Sequence, residues 1–185
     1  MDLMIVHGAG LYHGWPLSVV ITNARRVAGR LNMKGFVTLA VVLLIVNAAE
    51  ARDPKHCLAE AMYFEARDQG WQGMLAVGVV IQNRVRDSRY PNDVCGVVRQ
   101  GRYRNGNPIK HKCQFSYYCD GIPERPAEKK PWAVSLDLAR ILLSGRLMIR
   151  GLKDATHYHT TSVRPSWSKK LSFRRVIGDH VFYAR

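Results

Sequence analysis

The sequence of 185 residues predicts an α+β domain that is mainly helical and has a small antiparallel sheet or hairpin near its C-terminus. Two observations predict the helices: a run rich in Ala, Leu, Met and Glu, and a longer apolar run that follows it. A third predicts the sheet, because β-branched and aromatic residues dominate the segments after residue 154. The length fits one domain with a terminal extension.

Three helices are expected. The first covers residues 57–67, where good helix formers dominate. The second covers residues 73–86 and is apolar nearly all round, which is typical of a buried central helix. The third covers residues 132–143, with Pro131 in its first turn and Gly145 just beyond its end.

The rest of the domain is predicted as one long loop and three strands. Residues 99–131 are rich in Gly, Pro, Asn and Lys without a sustained period, so we expect a functional loop there. Strands are expected at residues 155–163, 173–177 and 180–183. A Gly-Asp pair at residues 178–179 predicts a two-residue hairpin turn between the last two strands.

The first 51 residues are predicted to be an N-terminal extension, with the domain at residues 52–185. Residues 33–51 have the pattern of a signal peptide, because a basic residue precedes the apolar run 36–46 and a small-x-small pattern ends at Ala51. That run is shorter than the roughly 20 residues that span a bilayer, so we expect cleavage after Ala51, with an uncleaved anchor as the alternative. Met33 is an alternative start of translation, and no fold is predicted for the residues before it.

Charge predicts the kind of partner. The chain has 28 Lys and Arg residues against 14 Asp and Glu, and 24 of these basic and 12 of the acidic residues follow residue 51. A positive exported domain favours a polyanion outside the cytoplasm, such as cell-wall glycan with its peptide carboxylates or envelope phosphates. We therefore expect a periplasmic or envelope location and no nucleic-acid partner.

All four cysteines lie in the predicted domain. An even number in an oxidising compartment predicts two disulfides, for which three pairings exist. We favour Cys113 with Cys119 and Cys57 with Cys95, although spacing does not determine connectivity. Zinc is disfavoured, because neither pair has the close spacing of structural zinc sites.

Five separated motifs together resemble one known family. They are CLAEAMYFEARDQGWQGMLAVGVVIQNRV, RYPNDVCGVV, CQFSYYCDG, ATHYHTTSVRPSW and IGDHVFY, in this order between residues 57 and 183. The segment resembles the SleB-type cell wall hydrolases, which include spore cortex-lytic enzymes and Gram-negative relatives, and its cysteines and basic charge resemble the Gram-negative branch. The resemblance implies a lysozyme-like arrangement of helices around a small sheet, and a peptidoglycan-cleaving lytic transglycosylase or muramidase.

The same resemblance implies that Glu65 is the catalytic acid, in a Y-x-E-A-R type motif that begins at Tyr63. Glycoside cleavage requires protonation of the leaving oxygen, and an apolar pocket formed by Tyr63 and its neighbours would raise the pKa of the acid. The alternative is an exposed helical glutamate paired with Arg67. Glu60 is a poor second carboxylate, because it lies about 140 degrees round the helix from Glu65.

A mechanism with one carboxylate is therefore expected. The acid would protonate the bond between N-acetylmuramic acid and N-acetylglucosamine, and attack by the muramoyl C6 hydroxyl would give a 1,6-anhydro product. Attack by water would make the enzyme a muramidase. No cofactor is expected.

Further residues are candidates for substrate binding. They comprise a polar loop motif that resembles a family element, a histidine-rich strand, a helix-face amide and two aromatic residues. An ordinary surface loop, satisfied histidines and core aromatics are the alternative interpretations. The candidates are Tyr63, Asn83, Gln114, Phe115, Ser116, His157, Tyr158, His159 and Trp167.

Two other classes of function stay open. The first is a zinc amidase, with His157 and His159 on one face of a strand and His180 or Asp154 as a third ligand. It predicts sensitivity to a chelator. The second is a non-catalytic wall-binding domain, which predicts that Glu65→Gln leaves function intact. No oligomeric state is predicted.

Overall fold

The computed structural model describes residues 53–185 and one short strand, β1 (Leu3–Ile5). The predicted signal peptide at residues 33–51 and the predicted cleavage position after Ala51 lie outside the described residues. Within the described residues, no helix combines the length and apolar character needed to cross a membrane.

The first two helices form almost as predicted. Helix α1 (Pro54–Ala66) begins at an Asp53 cap, whose side chain accepts a hydrogen bond from the Lys55 backbone N–H at 3.0 Å. A single 3₁₀ turn (Arg67–Gln69) separates it from helix α2 (Gly70–Arg86). The second helix thus begins at Gly70, three residues before its predicted start at residue 73.

Helix α2 is the buried centre of the domain, as its apolar pattern predicts. Eleven of its residues are buried, on all sides of the helix. At Gly78 the neighbouring elements approach so closely that a Cβ atom would lie 2.5 Å from Leu142 Cδ1 and 2.6 Å from Met62 Sδ. A larger residue here would require the ends of the Leu142 and Met62 side chains to move.

Two further helices surround this centre. Helix α3 (Val94–Val98) is short, was not predicted, and is joined to α1 by the Cys57–Cys95 disulfide, across a Cα–Cα distance of 5.4 Å. Helix α4 (Lys129–Leu143) contains Pro131 in its first turn and ends two residues before Gly145, in agreement with the prediction.

The expectation that residues 99–131 form one long loop without strands is wrong. Strands β2 (Gly101–Arg104) and β3 (Asn107–Cys113) form an antiparallel hairpin there. Its turn has positive φ angles at Asn105 (51°) and Gly106 (78°), the conformation that an Asn-Gly pair adopts in two-residue hairpins. The strand pattern was missed because neither strand has an apolar face, but the turn signal is present in the sequence.

The Cys113–Cys119 disulfide closes the segment after β3, around a 3₁₀ turn (Ser116–Cys119). Both disulfides therefore have the pairing that we favoured among the three possibilities. One ties two helices together and the other ties the base of the hairpin to the loop that follows.

The C-terminal part confirms the α+β class. Strands β5 (His157–Thr160), β6 (Ser172–Ile177) and β7 (His180–Ala184) form an antiparallel sheet in the order β5-β7-β6. The predicted strand at residues 155–163 is shorter in the structure, while the hairpin turn at residues 178–179 is confirmed. A separate strand, β4 (Leu147–Ile149), pairs with β1.

Gly78→Ala tests the close packing of the central helix. In an exposed helix this change stabilises by about 1 kcal/mol, because alanine has the higher helix propensity. Here the added methyl group would clash with Leu142 and Met62, and overpacking of this kind costs about 1–3 kcal/mol. We expect a net loss in the free energy of unfolding, measured with denaturant. A net gain would contradict the packing described.

Candidate active site

A cleft of about 460 Å³ lies between the end of α1, the loop after β3 and strand β5. Eight of the ten candidate catalytic and substrate-binding residues line it, although they come from four separate parts of the chain. They are Glu65, Gln114, Phe115, Ser116, His157, Tyr158, His159 and Trp167.

Glu65 lies one residue before the end of α1, and its carboxyl group is partly buried in the cleft wall. The Tyr158 hydroxyl of β5 donates a hydrogen bond to Glu65 Oε2 at 2.9 Å. The other carboxyl oxygen makes no hydrogen bond to the described residues. The structure thus holds one oxygen in place and leaves the second available to a ligand.

The environment raises the pKa of Glu65. Burial is the largest cause, because it disfavours the charged carboxylate, whereas the Tyr158 hydrogen bond and the positive charge of Arg84 act in the opposite direction. The pKa of Tyr158 is raised well above its usual value, chiefly by burial and then by the charge of Glu65. Tyr158 therefore remains a hydrogen-bond donor, and Glu65 holds a proton to a higher pH than an exposed glutamate.

Arg84 also lines the cleft, and the sequence analysis did not single it out. It is 6% exposed on α2, and its Nε donates to the Thr156 carbonyl at 2.8 Å. Its guanidinium lies 5.5 Å from the centre of the Phe115 ring and 5.4 Å from that of Tyr90. The available signal was an arginine that closely follows the long apolar run of this helix, since a charge near a buried segment requires specific partners.

Among the described residues that line this cleft, Glu65 is the one carboxylate. Glu60, on the same helix, is not part of its wall, and lies 3.6 Å from His56 in an i,i+4 pair. A neighbouring depression of about 360 Å³ also includes Glu65 and carries Asp68 and Asp179. The helical spacing therefore separates Glu60 from Glu65 as expected, while Asp68 lies on the Glu65 side.

One wall of the cleft is aromatic. The rings of Phe64 and Tyr117 stack with their centres 4.8 Å apart. Phe115 is 1% exposed, so it supports the loop, whereas Gln114 and Ser116 on either side of it are exposed to a ligand. The Tyr117 hydroxyl is buried and has no hydrogen-bond partner among the described residues.

The opposite wall contains the two histidines of β5. His157 Nδ1 lies 2.9 Å from Thr156 Oγ1, and His159 Nε2 lies 3.0 Å from the Tyr183 hydroxyl. The centre of the Trp167 ring lies 5.5 Å from the centre of the His157 ring and 5.6 Å from the centre of the His159 ring. These contacts make a surface of packed rings on this side of the cleft.

A metal site does not assemble from these histidines. Within residues 53–185, no group of three or more His, Cys, Asp or Glu side chains is arranged to hold a metal ion. Asp154, a suggested third ligand, accepts two hydrogen bonds from Arg174, both at 2.8 Å. His180, the other suggestion, packs edge-on to Tyr158 at 5.2 Å, and burial lowers its pKa.

Two of the candidate residues, Tyr63 and Asn83, do not line the cleft. Tyr63 is 2% exposed and its hydroxyl accepts a hydrogen bond from the Glu128 backbone N–H at 3.0 Å. The Asn83 amide donates to the carbonyls of Leu152 and Ala155 at 2.7 and 2.8 Å. Both side chains are buried and satisfied by the protein itself, so they support the fold.

Tyr158→Phe tests the electrostatic balance at Glu65. The hydroxyl stabilises the ionised carboxylate, so its removal should raise the pKa of Glu65 further. If the protonated form is the active one, the alkaline limb of the pH profile of kcat/KM should move to higher pH. Tyr183→Phe removes a hydroxyl from the same sheet that contacts His159, and should leave that limb in place. A limb that moves to lower pH in Tyr158→Phe would contradict the assigned contact.

Comparisons with known proteins agree on the family. The sequence profile of the family described as Cell Wall Hydrolase matches residues 68–183, a match that begins three residues after Glu65. The spore cortex-lytic enzyme of Bacillus subtilis (strain 168) is 44% identical over 41 residues, which are 22% of this chain and 13% of that protein.

Two solved structures share the fold. The catalytic domain of the germination-specific lytic transglycosylase SleB from Bacillus anthracis matches with a TM-score of 0.53 and 24% identity, covering 75% of this chain and 99% of that one. The catalytic domain of the Bacillus cereus SleB protein matches with a TM-score of 0.50 and 23% identity, covering 70% and 88%. The predicted resemblance is confirmed, and the chain belongs to the SleB-type cell wall hydrolase family.

Proposed function

We propose that this protein is a peptidoglycan lytic transglycosylase that cleaves the glycan strand between N-acetylmuramic acid and N-acetylglucosamine. The observation that carries the proposal is the Glu65 carboxyl group, which is partly buried in the cleft with one oxygen held by Tyr158. Family membership supports an enzyme that acts on the cell wall, and the geometry of this carboxyl group supports a glycosidic bond as its target.

In the first step Glu65 acts as general acid. Its raised pKa favours the protonated form, and the oxygen that does not contact Tyr158 is the one available to the glycosidic oxygen. As the bond from the muramoyl anomeric carbon to that oxygen breaks, the proton passes to the leaving N-acetylglucosamine. The carboxylate that remains is stabilised by the Tyr158 hydroxyl and by the charge of Arg84.

In the second step the carboxylate acts as general base. It takes the proton of the muramoyl C6 hydroxyl while the C6 oxygen bonds to the anomeric carbon of the same sugar. The product is a 1,6-anhydro ring, no water is consumed, and Glu65 regains its proton. This sequence needs one carboxylate and no cofactor, which fits a cleft wall in which Glu65 has no acidic neighbour among the described lining residues.

The remaining lining residues are assigned to substrate binding. Gln114 and Ser116 are exposed on one side of Glu65 and are suited to hydrogen bonds with acetamido and hydroxyl groups. The Trp167 ring and the two histidines beside it form the opposite wall, against which a sugar ring can pack.

Hydrolysis by water is the second candidate outcome. It is favoured by one observation: Asp68 lines the depression next to the cleft, together with Glu65. A second carboxylate beside a space for water is the arrangement that a glycosidase uses to activate a nucleophile. In that case the protein is a muramidase and its products have reducing muramic ends.

The proposal includes the location of the protein. Peptidoglycan lies outside the cytoplasm, so we propose that residues 33–51 direct export and that residues 52–185 act in the periplasm or cell envelope. The excess of basic residues after residue 51 fits a wall polymer whose peptides carry carboxylates.

Glu65→Gln tests the proposal through the products released from purified peptidoglycan. Loss of a general acid costs about 10²–10⁴-fold in rate. We expect mass spectrometry to find anhydro-muropeptides with the wild type, almost none with Glu65→Gln, and full activity with Glu124→Gln, an exposed carboxylate that does not line the cleft.

The same experiment separates the rivals. Reducing muramic ends would indicate a muramidase. Free stem peptides that persist in Glu65→Gln and disappear with a chelator would indicate a metal amidase and contradict the proposal. If the wild type and Glu65→Gln bind sacculi equally well and the wild type releases no products, the protein is a wall-binding domain.

A further inference from the structure

The hairpin formed by β2 and β3 has an unusual charge. Residues 99–112 contain five Lys and Arg residues and one His, and no Asp or Glu. We call this segment the basic hairpin. A run of one sign is often only a solvated surface, so its contacts decide whether it has a further role.

The side chains of the basic hairpin contribute little to the core. Every residue of β2 is exposed, and in the described sheets β2 and β3 pair only with each other. An isolated two-stranded hairpin is marginal in water. Its base is held by the Cys113–Cys119 disulfide and by a hydrogen bond from the Gln114 N–H to the Gln100 carbonyl at 2.8 Å. The fold maintains this projection without burying its side chains.

Four of its cations have no acidic partner. Arg102, Arg104, Lys110 and Lys112 make no ion pair with any described residue. Other surface arginines of the domain do make such pairs: Arg67 lies 2.8 Å from Glu128, and Arg174 lies 2.8 Å from Asp154. Like charges held side by side repel each other, so an external anion would relieve this repulsion.

The position of the basic hairpin connects it with the cleft. Strand β3 ends at Cys113, and the next residue, Gln114, lines the cleft together with Ser116. A polymer that lies against Gln114 is therefore next to the base of the hairpin. His111, on this strand, has a φ angle of 59° and lies within the register shift between β2 and β3, where the strand is bent by a bulge.

We propose that the basic hairpin binds the carboxylates of the peptide side arms on the polymer whose glycan strand lies in the cleft. This inference rests on the proposed function, because it identifies the substrate as glycan that still carries its peptides. Repeated carboxylates along a polymer complement several unpaired cations on one projection. Since these cations are exposed and do not reach Glu65, they act on substrate binding and leave the chemical step unchanged.

The test removes four charges from the basic hairpin and the same number elsewhere. The hairpin variant carries Arg102→Gln, Arg104→Gln, Lys110→Gln and Lys112→Gln. The control carries Lys55→Gln, Lys129→Gln, Lys130→Gln and Arg146→Gln, which are all exposed and lie outside the cleft. Circular dichroism and thermal unfolding check that both variants fold, as the exposure of all eight residues predicts.

Each protein is assayed on intact sacculi and on the same glycan after an amidase has removed its peptides. We expect the hairpin variant to need about tenfold more intact sacculi for half-maximal rate, with kcat unchanged and a weaker dependence on salt. On glycan without peptides, the hairpin variant, the control and the wild type should be equal. An equal loss on both substrates, or an equal loss in the control, would overturn the inference.

Two further arms separate this inference from the proposed function. Pelleting with sacculi in a Glu65→Gln background measures binding without cleavage, so the hairpin is tested even if the wild type releases no products. Weaker pelleting of the hairpin variant, but not of the control, is expected. Binding to phosphatidylglycerol vesicles is measured in parallel. Loss of vesicle binding with unchanged pelleting would assign the basic hairpin to a lipid surface and overturn the inference.

Discussion

The hydrogen bond from the Tyr158 hydroxyl to Glu65 Oε2 joins the end of α1 to strand β5, and the cleft exists between these two elements. Helix α2 fixes the position of β5 through side-chain hydrogen bonds to the backbone that precedes this strand. Asn83 bonds the carbonyls of Leu152 and Ala155, and Arg84 bonds that of Thr156, so the backbone leading into β5 is anchored to the most buried helix of the domain. The packing of the core therefore also fixes the position of the site.

Opposing electrostatic effects act on Glu65. Burial alone would favour a permanently neutral acid, whereas a strong hydrogen bond alone would favour a permanently ionised base. In this cleft burial dominates, and the Tyr158 hydrogen bond and the Arg84 charge partly offset it. An acid that must release a proton and then recover one needs such a balance, because its best pKa lies near the working pH.

Much of the fold follows from local patterns in the sequence, while the errors come from long-range requirements. Helix α2 is apolar nearly all round and is indeed central, and of the three possible cysteine pairings the favoured one is observed. Asn83 resembled a cleft residue because its partners, two carbonyls about 70 residues away in sequence, leave no local mark. The basic hairpin was missed because strand prediction relies on an apolar face, which a projection without buried side chains lacks. Glu65, Gln114 and the β5 residues were proposed from motifs, and the structure brings them together in one cleft.

The most direct test of the account is the ionisation of the Glu65 carboxyl group itself. A ¹³C NMR titration of glutamate carboxyl carbons, with Glu65→Gln used to assign the resonance, measures its pKa in the folded protein. The account predicts a midpoint clearly above that of an exposed glutamate, about 4.3, and a further rise in Tyr158→Phe. A midpoint at or below the exposed value would contradict it, because Glu65 would then be ionised at the step in which the proposed mechanism requires it to donate a proton.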